Sequence, residues 1–385
     1  MVIYWRCAFI LGFLFYLLDS SRNNWLLMII ALLVIGLVCC ISSDDQLLGL
    51  IGVVRAVLIY TNSVLVFVVL FELVLIPIVG YIILYRKSEY RIFSAVVILF
   101  YGVVSGFPLI ALILRVSESA GSLEFTIMEA NSLIVVFLFP FLVKLPVFGC
   151  HQWLPLAHVH ASTVGSIYLA GIILKFGGLG LIYLREVLSP GTCRFLSGLG
   201  LISFLIRAII VLIETDVKGL VAIRRVSHIG VFLVLISLNS SLSNLIAIFI
   251  MVGHGLTSSA LFLNIGCIAE ISKSRSIVLC KRLSLARMPM FILTFFTVIN
   301  NIGLPPLLNF LSEASLFGLI LISGGGLTRI LICLVGLMIS GFYSIYLIYV
   351  CCYGVIKITI LPPVKELRIL LILGLTTVLI IALAI

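Results

Sequence analysis

Lys144 stands inside an apolar run, Phe-Leu-Phe-Pro-Phe-Leu-Val-Lys-Leu-Pro-Val-Phe, two residues ahead of Pro146. An amine near the middle of a bilayer costs about 2.5 to 3.5 kcal/mol or more on insertion scales, so an ionisable group kept there is a candidate for moving charge. Glu72 lies in Val-Leu-Phe-Glu-Leu-Val-Leu-Ile-Pro, close to Pro77. An opposite charge within about 4 to 6 Å keeps a carboxylate and an amine ionised, and losing it lets a desolvated lysine release its proton. Glu72 and Lys144 are therefore expected to meet and act as a proton switch; a static ion pair locking two helices is the plainer reading. Lys175, in Leu-Ala-Gly-Ile-Ile-Leu-Lys-Phe-Gly-Gly-Leu-Gly, is a second buried amine. Lys218, Arg225 and His228 are spaced by seven and then three residues, which places them on one helical face. His228 and His254 carry imidazoles that both give and take protons near neutral pH, although a lone imidazole often only bonds a carbonyl. Glu313 follows Pro306 by seven residues, on the side of that helix break. Together Glu72, Lys144, Lys175, His228, His254 and Glu313 suit a chain of proton-transfer stations, with Lys218 and Arg225 beside it.

Positioning them requires a membrane fold. Of the 385 residues, 63% are hydrophobic and 10% charged, with a mean hydropathy of +1.38. That composition reads as an all-α polytopic membrane protein with room for about 12 to 14 crossings. Hydropathy and turn residues suggest spans near 3–18, 24–42, 46–60, 62–85, 92–114, 130–148, 164–184, 195–214, 219–238, 242–268, 287–322, 327–350 and 367–385, about thirteen transmembrane helices in all. The stretch 287–322 is long enough to be broken. Pro140 and Pro146 deprive the carbonyls of Val136 and Leu142 of their usual donors.

The net charge of +10 does not imply nucleic acid, because basic residues fall loop by loop. Even-numbered connections carry twelve, including Arg86, Lys87, Lys273 and Arg275, against five on the odd ones, among them Arg115 and Arg185. The N-terminus is thereby expected on the negative side, with the C-terminus opposite. The ten cysteines form no Cys-x-x-Cys pair, and glycine-rich nucleotide fingerprints are missing. No redox cofactor and no metal site is expected. His151, His158 and His160, read as loop residues, have no metal-ligand spacing, and the Trp-Leu-Pro between them reads as an interfacial anchor.

The spans fold onto themselves with one offset. After N-terminal helices in 1–45 come five-helix units at 46–186 and 187–350, then a loop and helix at 351–385. The fourth helix of each unit is proline-broken, by Pro140 and Pro146 in the first and Pro305 and Pro306 in the second, and each carries one interior charge, Lys144 or Glu313. An odd number of spans per unit makes the two repeats inverted.

Lys-Leu-Pro-Val-Phe-Gly-Cys-His-Gln-Trp-Leu-Pro-Leu-Ala-His (144–158) and Gly-Ser-Ile-Tyr-Leu-Ala-Gly-Ile-Ile-Leu-Lys-Phe-Gly-Gly (165–178) resemble the signature of the antiporter-like subunits of respiratory complex I. Supporting stretches are 71–77, Thr-Asp-Val-Lys-Gly-Leu-Val-Ala (215–222), Ser-His-Ile-Gly (227–230), Gly-His-Gly-Leu-Thr-Ser (253–258) and Leu-Pro-Pro-Leu-Leu-Asn-Phe-Leu-Ser-Glu (304–313). The resemblance implies Glu72 as acidic modulator, Lys144 as switching lysine, Lys175 as central lysine and Glu313 as exit-side acid, with His228 and His254 on the axis between. It sets the chain with the member type whose last station is a glutamate. It also implies a mitochondrial inner-membrane location, with other membrane-arm subunits and cardiolipin as partners; the charge count then puts the N-terminus in the matrix and the C-terminus in the intermembrane space. Related cation/proton antiporters and a non-conducting structural subunit are the competing expectations. Departures from the family pattern are a shortened N-terminal part, His160-Ala161-Ser162, and Ile223-Arg224-Arg225 where small polar residues are usual. Of the two arginines, Arg225 is expected on the axis and Arg224 outward, each with an acid, phosphate, carbonyl or water to offset it.

Overall fold

A computed structural model describes residues 64–85, 90–120, 134–277, 288–305, 307–324 and 326–352. The expected helices of 1–45, 46–60 and 367–385, and both termini, lie outside these residues. The described part is helical: α1 (Val64–Leu73), α2 (Leu75–Tyr85), α3 (Arg91–Ala120), α4 (Ile134–Lys144), α5 (Trp153–His160), α6 (Thr163–Tyr168), a π-helical turn (Leu169–Ile173), α7 (Leu174–Leu184), α8 (Pro190–Val211), α9 (Val217–Ser237), α10 (Ser241–Ser272), α11 (Met288–Ile302), α12 (Leu308–Ile322) and α13 (Gly326–Cys352). Among the described residues, seven helical stretches are long and apolar enough to cross a membrane. They overlap the expected spans, within a few residues at most ends. The chain is an all-α, multi-pass membrane protein.

The helix ends follow from local chemistry. Ser189 caps α8 by accepting from the Thr192 amide ahead of Pro190, and Asp216 caps α9 by accepting from Lys218 and Gly219. Ser240 and Ser243 form a reciprocal capping box at α10. At the far end of α10 the chain turns back along the start of α9, where Val217 donates to the Arg275 carbonyl at 3.1 Å and Ile277 to that of Thr215 at 3.1 Å. With little apolar driving force between helices in lipid, close packing must hold them together. The α8–α9 contact shows how: a Cβ on Gly200 would lie 2.6 Å from the Gly230 carbonyl oxygen, so only glycine permits this approach.

Burial is uneven. The hydropathic core of α9 is wholly buried and that of α10 is 89% buried, whereas α3 and α13 are 33% buried and turn large apolar side chains outward. Among the described residues α9 is thus the central helix, and the most exposed are α3, α8 and α13.

Both expected breaks are present, but Pro140 stays inside the continuous α4 and only Pro146 marks the first of them. Between α4 and α5, Pro146 has no N–H for the Leu142 carbonyl, which instead receives the Val147 amide at 3.3 Å. That diversion leaves the carbonyl of Val143 without its helical donor, and the indole of Trp153 takes it at 2.9 Å. Trp153 is buried, which corrects the reading of an interfacial anchor: its N–H caps a broken helix inside the protein. His158 and His160 likewise lie in α5 rather than a loop, and His158 is fully buried with its ring stacked 4.4 Å from that of Phe262. Trp153→Phe should keep the ring's packing but strand the Val143 carbonyl, a cost of about 1 to 3 kcal/mol. Thermal denaturation of the assembled protein would register it as a lowered midpoint, and an unchanged midpoint would refute the capping role. The second break separates α11 from α12 and runs through Gly303, whose φ of +74° suits glycine.

Candidate functional site

In the first half, the helix bearing Glu72 is itself interrupted, since α1 ends at Leu73 and α2 starts at Leu75 ahead of Pro77. The carbonyl of Phe71, in the turn before this interruption, accepts from Lys144 Nζ at 2.5 Å. The same ammonium lies 3.1 Å from Glu72 Oε1 and 3.3 Å from the centroid of the Phe71 ring. Glu72 and Lys144 therefore meet, and the cation is held by a carboxylate, a carbonyl and an aromatic face together. Room for the carboxylate comes from α3, where a Cβ on Gly106 would stand 2.9 Å from Glu72 Oε1. Lys144 is buried and Glu72 half-buried, so what exposure the pair has lies on its acid side.

Lys175 opens α7 directly after the π-helical turn, and its Nζ donates to the Ala170 carbonyl at 3.4 Å. A π turn widens the helix and frees a carbonyl, a local irregularity common at functional positions. Across from it, a Cβ on Gly255 would come within 2.9 Å of Lys175 Cε, which sets the lysine against the residue next to His254.

In the second half, α9, α10 and α12 bring His228, His254 and Glu313 together. The imidazoles are 4.2 Å apart, and His228 Nδ1 is 3.8 Å from Glu313 Oε1. All three are buried, and Glu313 lies against the second break, its Oε2 2.9 Å from where a Cβ on Gly303 would sit. Facing imidazoles beside a carboxylate can relay a proton by exchanging donor and acceptor roles. One ligand atom from each residue lies within 4.8 Å of the others, a donor set that suits a transition metal by type. The guanidinium of Arg224 acts electrostatically on all three, which weighs against a dication there.

Arg224 itself corrects the sequence reading. It is buried, donating through Nη2 to the Asn301 carbonyl at 2.6 Å, with its guanidinium carbon 5.2 Å from the Tyr343 ring centroid. Helical-wheel reasoning failed because it assumes one face turned to lipid, and α9 has none. Arg225 is buried too, its guanidinium 5.0 Å from the Phe262 ring centroid, and among the described residues none of its three nitrogens finds a hydrogen-bond partner. The offset expected for it is here an aromatic face. Lys218 is buried near the start of α9. In the loop before it, burial and then the neighbouring Asp216 raise the Glu214 carboxyl above the usual carboxylate range.

Sequence reasoning missed Gly106, the Phe71 and Asn301 carbonyls, Tyr343, and the capping role of Trp153. No local signal marks most of these, since Lys144 reaches 73 residues back and Arg224 reaches 77 forward.

Buried acids, amines and imidazoles gathered on discontinuous helices define a class of polytopic membrane proteins that handle ions. Residues 61–340 match the family described as NADH:quinone oxidoreductase/Mrp antiporter, TM, and the chain belongs to that family. It is 32% identical over 323 residues to NADH-ubiquinone oxidoreductase chain 4 of Polypterus ornatipinnis, covering 80% of this chain and 70% of that one. With the chain of the same name from Albinaria caerulea it shares 34% over 316 residues, 78% of this chain and 71% of the other. The fold is similar to a chain of respiratory complex I from Thermus thermophilus with bound NADH, at a TM-score of 0.83 and 21% identity over 92% of this chain and 80% of that one. It is equally similar to a chain of the Mrp complex from Dietzia sp. DQ12-45-1b, at a TM-score of 0.84 and 16% identity over 93% and 80%.

Proposed function

We propose that this chain is a chain 4 type subunit of a respiratory NADH–ubiquinone oxidoreductase, translocating protons through the membrane arm while the redox chemistry proceeds on other subunits. The observation that carries the reading is the pairing of two breaks with two ionisable clusters. Glu72 and Lys144 sit at the first, His228, His254 and Glu313 at the second, and Lys175 stands against the helix of His254. In this reading Lys144 holds its proton while Glu72 faces it and passes it on when that contact weakens. Lys175 receives it, the two imidazoles relay it, and Glu313 delivers it at the second break; Lys218 and Arg225 shape the field alongside. The two broken helices are corresponding members of inverted five-helix units, 46–186 and 187–350. The chain holds no redox group or metal of its own, resides in the mitochondrial inner membrane, and packs against other membrane-arm subunits and cardiolipin. Relatives at 32 and 34% identity bearing the chain 4 name support this over a cation/proton antiporter, which fold similarity alone would also allow.

Affinity purification through this chain from native membranes should recover an assembly with NADH–ubiquinone activity. Recovery of a particle with no such activity, driving sodium/proton exchange in vesicles, would replace this reading with the antiporter.

A further inference from the structure

The second break is gripped from two sides, and only one grip was anticipated. Glu313 reaches it from α12 and lies against Gly303. From α9, Arg224 donates to the carbonyl of Asn301, near the end of α11 and just before the break. The guanidinium lies over Tyr343 of α13, so one side chain ties α9, α11 and α13 together. Its Nε and Nη1 have no hydrogen-bond partner among the described residues, and neither does Glu313 Oε1, while the two side chains meet the same turn, the one at the Asn301 carbonyl and the other at Gly303. An arginine stays protonated in a protein, unlike the lysine that occupies the first break.

We infer that Arg224 is a positioning residue that tethers the second break to α9 and stands as the permanent countercharge of Glu313. The groups around Glu313 are His228 from α9 and His254 from α10, with Lys175 behind His254, and Arg224 of α9 at the Asn301 carbonyl of the same break; Tyr343 lies beneath the guanidinium. Arg224 alone among them carries a charge that cannot be discharged, so it biases the carboxyl towards its ionised form whatever the relay is doing. The two breaks are then unlike in kind. At the first the cation is the mobile partner and at the second it is fixed, which leaves the acid as the group that takes and releases the proton. This rests on the proposed role of Glu313 for its meaning in transport, but not for its test.

That test is the protonation state of Glu313, read by infrared spectroscopy of the assembled protein. Arg224→Gln keeps a donor for the Asn301 carbonyl and removes the charge. It should enlarge the protonated-carboxyl band at neutral pH relative to the unsubstituted protein. That gain should vanish when Glu313→Gln is added. Arg224→Lys keeps a cation and should leave the band as it is in the unsubstituted protein. An unchanged band in the glutamine variant overturns the inference, and so does an enlarged one in the lysine variant, which carries the test alone if the glutamine variant does not assemble. If Glu313 is not a transport station, proton translocation will survive Glu313→Gln while the infrared result stands, so the two failures are separable.

Discussion

Lys144→Arg should abolish proton translocation through this chain while leaving it folded and assembled. A guanidinium preserves the cation beside Glu72 and can donate to the Phe71 carbonyl, so the contacts seen at 3.1 and 2.5 Å have replacements. What it cannot do is give up its proton. Loss of a positioned proton donor and acceptor costs about 10²-fold or more in rate. Lys144→Ala should stop translocation as well, but also leave Glu72 without its partner. Removing one member of a buried pair costs up to about 3 to 5 kcal/mol, less here because Glu72 is one-fifth exposed. Protons moved per electron pair, measured in vesicles alongside NADH oxidation, should fall alike in both variants, and a lowered thermal midpoint should mark the alanine variant alone. Unaltered stoichiometry in the arginine variant would make Lys144 a structural cation only.

The second large effect is expected at Glu313. Glu313→Gln keeps the shape of the side chain against Gly303 and a polar atom facing His228 Nδ1, now 3.8 Å from the carboxylate. It removes the group able to hold a proton and the negative charge facing Arg224. Translocation should fall by about 10²-fold, and the assembled protein should lose about 1 to 3 kcal/mol as a buried cation loses its countercharge. Glu313→Asp should retain partial transport, since the carboxyl survives one methylene further from His228. Equal, full transport in both variants, measured in the same vesicle assay, would exclude Glu313 as a station.

Much of this was legible in the chain. Apolar runs interrupted by Pro146 and Pro305 predict helices that stop inside the membrane, because proline's missing N–H acts locally and needs no knowledge of the fold, whereas α4 runs on through Pro140. An ionisable residue in such a run marks itself by its cost, which is how Glu72, Lys144, Lys175 and Glu313 stand out. What the chain could not show was direction. Arg224 was placed outward because adjacent residues on a helix diverge by about 100 degrees. That argument needs a lipid face, and whether α9 has one depends on neighbours more than seventy residues away. Trp153 was placed at the interface for the same reason: an indole beside prolines reads identically whether it meets headgroups or the orphan carbonyl of Val143. Gly106 was invisible, its role being only the space it leaves for Glu72.

The contrast between the central helix and the most exposed ones has a mechanical consequence. A bilayer thinner or thicker than the protein's apolar belt acts on the helices that touch it, tilting or shifting them at a modest cost per ångström of mismatch. Among the described helices the least buried are α3, α8 and α13, the ones left open to such a belt, while α9, which carries Lys218, Arg224, Arg225 and His228, meets protein all round. Changes of membrane thickness would be taken up by the outer shell before they reach the charged line. Tyr343 on α13, lying against the guanidinium of Arg224, is the point at which such a distortion would first be felt inside.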